Sequence, residues 1–557
     1  MNEPPWIPKL TSWGRTDSPE GGCRPVCDNW RVTSDKSPTA QEYKGVFDLP
    51  DSAGLTPSER ILAQLSRRAF LSLWTFPNLH TDEGFKAGSK SPKEFADGLL
   101  MFGNDVVLFS DKEIAFNEEK PIAVAWPRWY RKAVTHSEQQ LFGALSWVKR
   151  FPDRIFLDPG CTRKLPVPLP ATQRARYHLV AVTRGTYKAV ARHFPGSLGT
   201  LLIRTDIVGD ADPHRPFSVG LGPAGKPFVH ILDEFALEVI LREFDTASDF
   251  LIYLKARERF LGNPDRLIIA PGEEQLVAAY LLNMRGDDHW FISAPGLHEK
   301  EPDLISFDES HFKSLRNRPE YRAKKEADNP SYVWDELIER FIRLGDPKLA
   351  GDHFKQTSQE LEEGLRIIAS ESRFHRRLLA RALRDALVKA VERPGRRFAR
   401  VVTAAQDPDR VYIFLILPAR PGEPYEDYRR YRVATLHAYC RCAQLRFSDA
   451  TTFIGIGIDH PVKDYEGSSE DLFIYQPKAL TEDEKQEAEK FRAELGILPD
   501  DLKAWHSHDD EFPSAPPASA GSLLYGDVNP DTRRRAGDRK RKRKLVKEAR
   551  RKNRRKK

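Results

Sequence analysis

Residues 93–112 read Lys93-Glu-Phe-Ala-Asp97-Gly-Leu-Leu-Met-Phe102-Gly-Asn-Asp105-Val-Val-Leu-Phe109-Ser-Asp-Lys112. Two apolar runs flank Gly103-Asn104-Asp105, residues that tolerate the positive φ of a tight turn, so the pattern predicts a β-hairpin. Asp97 starts the first strand, Val106 to Phe109 form the β-branched and aromatic return strand, and Lys112 closes it. Pairing these strands brings a carboxylate that can hold Mg2+ near a lysine that can orient or deprotonate a water. That is the minimum equipment for hydrolysing a phosphodiester.

Outward from the hairpin, Thr56-Pro57-Ser58-Glu59 reads as a helix start, with a capping Thr, Pro at the first helical position and Glu three residues after the cap. Its apolar face is Ile61, Leu62, Leu65, Ala69 and Leu73, and the loop that follows is basic through Lys86, Lys90 and Lys93. After the hairpin, His136 to Lys149 carries Gln140, Leu141, Ala144, Leu145 and Val148 at helical spacing, and His178 to Thr183 reads as a strand. Helix, strands, helix and strand in that order predict an α/β layer with helices covering the sheet.

Further along, Val229 to Leu232 reads as a strand, Asp233 caps a helix to Arg242, and Thr246-x-x-Asp249 caps another to about Leu261. Residues 331–344 and 357–392 read as helices, the second opened by Thr357-x-x-Glu360 and stopped before Pro394. Its Arg373, Arg376, Arg377, Arg381 and Arg384 form either a solvated helix face or a nucleic-acid face. Strands over 400–403, 411–417, 453–458 and 471–475 surround a helix at 428–444. Phe453-Ile-Gly-Ile-Gly-Ile458 lacks the third glycine and following helix of a dinucleotide fingerprint, which excludes that reading.

The expected organisation is therefore α/β and multidomain. An irregular segment spans 1–55, an α/β domain 56–190, a mixed region 191–310, a helical region 311–395 and a second α/β unit 396–500, with a linker and disordered basic tail over 501–557. Of the 88 basic and 81 acidic residues, 17 and two respectively lie in 533–557, so this tail carries +15 and the remainder −8. The run Arg539-Lys540-Arg541-Lys542-Arg543-Lys544 repels itself and buries nothing. It suits a sequence-independent hold on nucleic-acid phosphates; a solubilising terminus and a transport signal are the other readings.

No apolar run approaches the roughly 20 residues of a membrane helix, and the N-terminus does not read as a signal peptide, so a cytoplasmic protein without membrane partners is expected. Cys23, Cys27, Cys161, Cys440 and Cys442 are too few and too scattered for a disulfide framework. Cys23 and Cys27 with His437, Cys440 and Cys442 lack the spacing of zinc knuckles, and ordinary reduced thiols are expected.

With the helix start, hairpin, second helix and final strand in place, residues 56–183 resemble the PD-(D/E)xK, or restriction-endonuclease-like, nuclease superfamily, nearest to nuclease-related domains of bacterial proteins. The resemblance implies an α-β-β-β-α-β core holding Mg2+ or Mn2+. It assigns Glu59 as the first-helix acid, Asp97 as the strand carboxylate, Lys112 as the motif lysine and Gln140 as the helix glutamine, with Glu94 as an additional carboxylate. It further implies hydrolysis of DNA, possibly RNA, in restriction, repair or phage defence.

This chain departs from that pattern two residues before Lys112, where Ser110 replaces the second acid and Asp111 stands one position late. In an unbroken strand Ser110 and Lys112 share a face and Asp111 points away. Either a β-bulge returns Asp111 to the metal, or Glu94 or Glu59 replaces the missing ligand, or the site is dead. The last case leaves a non-catalytic nucleic-acid-binding or scaffold protein.

Overall fold

The chain folds from the helix at Pro57–Phe70 (α1) as its sequence dictates: the Thr56 side chain accepts the Glu59 backbone N–H, the Glu59 side chain accepts the Thr56 N–H, and Pro57 occupies the first turn. The coordinates are a computed structural model, which describes residues 46–49, 56–86, 92–285, 288–293, 302–344, 357–404, 407–461, 469–500 and 509–514. The basic run 539–544, the rest of the tail from 515, and Cys23 and Cys27 lie outside the described residues.

After α1 come β1 (Thr75–Thr81), α2 (Glu83–Lys86), β2 (Lys93–Phe102), β3 (Asp105–Glu113), α3 (Ile122–Tyr130), α4 (His136–Arg150), β4 (Ile155–Phe156) and β5 (Arg176–Arg184). Then follow α5 (Tyr187–His193), β6 (Leu202–Val208), β7 (Ser218–Leu221), β8 (Val229–Asp233), α6 (Glu234–Glu243), α7 (Ala247–Leu261), β9 (Leu267–Ala270) and α8 (Glu273–Leu282). A short hairpin β10 (Asn283–Arg285) and β11 (Asp288–Trp290) and strand β12 (Leu304–Ser306) lead into α9 (His311–Asn317), α10 (Pro319–Ala327), α11 (Tyr332–Leu344), α12 (Ser358–Ala369) and α13 (Arg373–Val391). The last unit is β13 (Phe398–Ala404), β14 (Asp407–Leu417), α14 (Tyr425–Arg446), β15 (Thr452–Asp459), β16 (Glu470–Tyr475) and α15 (Glu482–Leu495).

The result is a mixed α/β protein with several sheets. The first has the order β4-β1-β2-β3-β5-β8, with β1, β2 and β3 antiparallel and β3, β5 and β8 parallel. Thus β8, past residue 190, completes the sheet that the hairpin begins. A second sheet runs β12-β9-β6-β7 and a third β13-β14-β15-β16. Leu99, Leu100, Val106, Val107 and Leu108 are fully buried, as expected for the centre of a sheet covered on both faces. One continuous apolar cluster extends from this sheet through α6, α7, α11 and α13 to one face of the third sheet.

Two readings of the helical region need correction. The stretch 357–392 is two helices, because the Ser372 side chain accepts the His375 N–H and caps a new helix after the turn at Ser370. The arginines of α13 are divided between interior and rim. Arg373, Arg376 and Arg377 are buried, with Arg373 bonded to Asp245 and Asp335, Arg376 to Asp335, and Arg377 to Asp328. Burial of a charge requires such partners, which the sequence pattern does not display. Arg381, half-exposed, pairs with Asp509. Cys440 and Cys442 are buried free thiols. Among the described residues no helix is long and apolar enough to cross a membrane.

Candidate metal centre

Between β1 and β2 the register runs Leu79↔Ala96 and then His80↔Glu94, leaving Phe95 as an extra residue on β2. Paired residues share a face and neighbours alternate, so this bulge turns Glu94 onto the face of Asp97, opposite Ala96 and Gly98. On the other side of β2 the ladder with β3 ends at Gly98↔Phe109. Past that pair the strands part, and the carboxylate of Asp97 fills the fork by accepting the Asp111 backbone N–H at 2.5 Å. Glu59, held in the first turn of α1 by its capping box, reaches the same place. One carboxylate oxygen each from Glu59, Glu94 and Asp97 lies within 4.8 Å of the others.

Asp97 is 4 % exposed. Burial and the hydrogen bond with Glu94 push its carboxyl up to about 7, against the pull of the Asp111 N–H and the nearby Lys112 ammonium. Two carboxyls sharing one proton is the state expected where negative charge is concentrated and a cation can replace that proton. The donor set is all oxygen, which suits Mg2+ or Mn2+. Lys112 is half-buried beside this group.

The other expected site residues divide by face. Register between β3 and β5 is continuous from Asp105↔Arg176 to Glu113↔Arg184, so no bulge in β3 returns Asp111 to the fork. Asp111 instead accepts from Arg184, with Nε 2.8 Å from Oδ1 and Nη2 2.9 Å from Oδ2. Its carboxylate is fully buried in that ion pair, separate from the Glu59, Glu94 and Asp97 group. Ser110 points the opposite way, where its hydroxyl lies 3.2 Å from both Ser137 Oγ and Gln140 Oε1 on α4. Gln140 is thereby anchored two residues along β3 from Lys112, on the face that Ser110 and Lys112 share.

Two groups of residues carry no signal in the local sequence. Arg184 reads as the end of a strand, and its role at Asp111 depends on parallel pairing across 73 residues. His178, His230 and Glu258 also offer ligand atoms within 4.8 Å of one another. The two histidines lie inside runs that read simply as strands, and only the β5–β8 register brings them together. Comparison with protein-family models, with curated proteins and with solved structures finds no match to this chain.

Proposed function

We propose that the chain is a metal-dependent nuclease, hydrolysing phosphodiester bonds of DNA or RNA at Glu59, Glu94 and Asp97. The observation that carries this reading is the convergence of those three carboxylates beside Lys112 at the point where β2 and β3 part. The element order supports it: leaving aside the short α2, the helix α3 before α4 and the two-residue β4, it runs α1-β1-β2-β3-α4-β5, the order of the PD-(D/E)xK core that residues 56–183 resemble.

When bound, Mg2+ or Mn2+ would polarise a phosphoryl oxygen and acidify a water. Lys112 orients that water and offsets the negative charge that develops on the phosphate. Gln140, braced by Ser110, positions water or substrate by hydrogen bonding. The tail 533–557 adds affinity for phosphates without sequence choice.

The test is cleavage of plasmid DNA and of single-stranded RNA in Mg2+ or Mn2+. Wild type degrades one of them, while Asp97→Asn and Lys112→Ala lose activity by about 100-fold or more. Equal degradation by wild type and Lys112→Ala sinks the assignment.

A second reading is favoured by one specific observation: the Asp-x-Lys position holds Ser110, and the neighbouring acid is engaged by Arg184. On that reading the fold binds nucleic acid without turnover. Binding then weakens with salt at a log-log slope of about −0.7 to −0.9 per phosphate contact, and removal of residues 533–557 flattens the slope.

A further inference from the structure

At the other end of the first sheet, about 20 Å along β3 from Lys112 at roughly 3.3 Å per residue, three strands begin with chemistry of a different kind. Asp105 opens β3, His178 lies near the start of β5 and His230 near the start of β8. The registers Val107↔His178 and Val180↔His230 place all three side chains on one face, the face that α7 covers. The histidines are 5 % and 1 % exposed.

The proton positions follow from the partners. His178 Nε2 lies 3.0 Å from Asp105 Oδ1, and a carboxylate also held by Lys255 at 2.8 Å accepts, so Nε2 carries a proton; against burial, which lowers it, Asp105 and Glu258 raise the pKa of the ring, whose other nitrogen is Nδ1. That Nδ1 has no hydrogen-bond partner and lies 3.9 Å from Glu258 Oε2 on α7. The Nε2 of His230 is likewise buried without a partner. Its Nδ1 accepts from Arg257 Nη1 at 3.2 Å, since a guanidinium only donates.

One ligand atom from each of His178, His230 and Glu258 thus lies within 4.8 Å of the others, and His178 Nδ1 and His230 Nε2 are buried without hydrogen-bond partners. Ligands of one tetrahedral ion at about 2.1 Å lie roughly 3.4 Å apart. The half-exposed Glu258 side chain can supply that closure. Asp105 behind His178 completes the carboxylate–histidine arrangement that orients a metal-bound ring. The neighbouring cations are engaged, Lys255 by Asp105 and Arg257 by Glu273.

We propose that His178 Nδ1, His230 Nε2 and Glu258 bind a divalent transition-metal ion of the zinc type, clamping α7 to the ends of β5 and β8. The ion takes the place of the His230 Nε2 proton, and Arg257 faces the ring that this leaves. Loading therefore releases at least this proton, so affinity rises with pH. The inference is independent of the carboxylate site and of any nuclease activity.

The test uses full-length protein stripped with a chelator, then titrated with Zn2+ against a chromophoric competitor and with Co2+ while its visible d–d absorption is followed. Expected are one equivalent per chain, absorption of tetrahedral type, net proton release in paired-buffer calorimetry and a raised Tm. Glu258→Gln, at a side chain 42 % exposed, binds at least about tenfold more weakly, and Asp105→Asn about 10- to 100-fold more weakly. Absence of the equivalent in wild type, or equal binding by Glu258→Gln, overturns the proposal. The exposed position of Glu258 keeps this variant informative if His178→Gln fails to fold.

Discussion

The carboxylate of Asp97 accepts the backbone N–H of Asp111 at 2.5 Å, bridging β2 and β3 where their ladder has ended. One residue thereby closes the fork with Oδ2 while its carboxyl shares a hydrogen bond with Glu94. Substituting Asp97 by Asn keeps an oxygen for the Asp111 N–H while removing the charge. We expect Mn2+ affinity, read by calorimetry, to fall by at least about tenfold with Tm changed little.

The proton at Asp97 has a sign that can be checked. Its folded value of about 7 lies above the ordinary 3.8, so between them the folded chain holds a proton the unfolded chain has released. This carboxyl therefore favours folding fully below 3.8, and the contribution is lost as pH rises through 7. Metal-free protein should lose Tm from about pH 4 to about pH 7, and Asp97→Asn should lose less. Saturating Mn2+ should restore wild-type Tm at the upper end and do little at the lower.

Asp111 and Glu94 make opposite predictions despite equal charge. Removing the Asp111 carboxylate as Asn leaves the half-buried Arg184 without this ion partner, so stability falls while Mn2+ affinity holds within about twofold. Arg184→Ala leaves the carboxylate unpaired instead and costs about 3–5 kcal/mol in denaturant unfolding. Glu94→Gln leaves stability near wild type and weakens Mn2+ binding. A large loss of Mn2+ affinity in Asp111→Asn would place that residue among the ligands.

Arg373 joins Asp245 of the α6–α7 loop to Asp335 of α11. Arg373→Ala should destabilise by about 3–5 kcal/mol, because the buried Asp245 carboxylate loses its guanidinium while Asp335 keeps only Arg376. Salt dependence of nucleic-acid binding, measured by fluorescence anisotropy in protein that remains folded, should keep the wild-type slope. A shallower slope would return α13 to the phosphate-binding surface.

Much of the local structure was legible in the residues. The capping box at Thr56 and Glu59, the hairpin around Gly103, the Gln140 helix and the capped helices after Asp233, Thr246 and Thr357 follow from short-range hydrogen bonding and side-chain periodicity. These rules also placed Ser110 and Lys112 on one face of β3 and Asp111 on the other. The side of β2 that Glu94 occupies was decided by tertiary structure, because a bulge at Phe95 exists only relative to the partner strand. The same holds for Asp111, claimed by an arginine 73 residues away, and for α13, whose basic stripe is neutralised by acids from three other segments. His178 and His230 share a face through the β5–β8 register alone. Periodicity within a strand or helix is written in the chain itself, whereas the partner of a buried charge is set by contacts between distant segments, and those form only when the whole core closes.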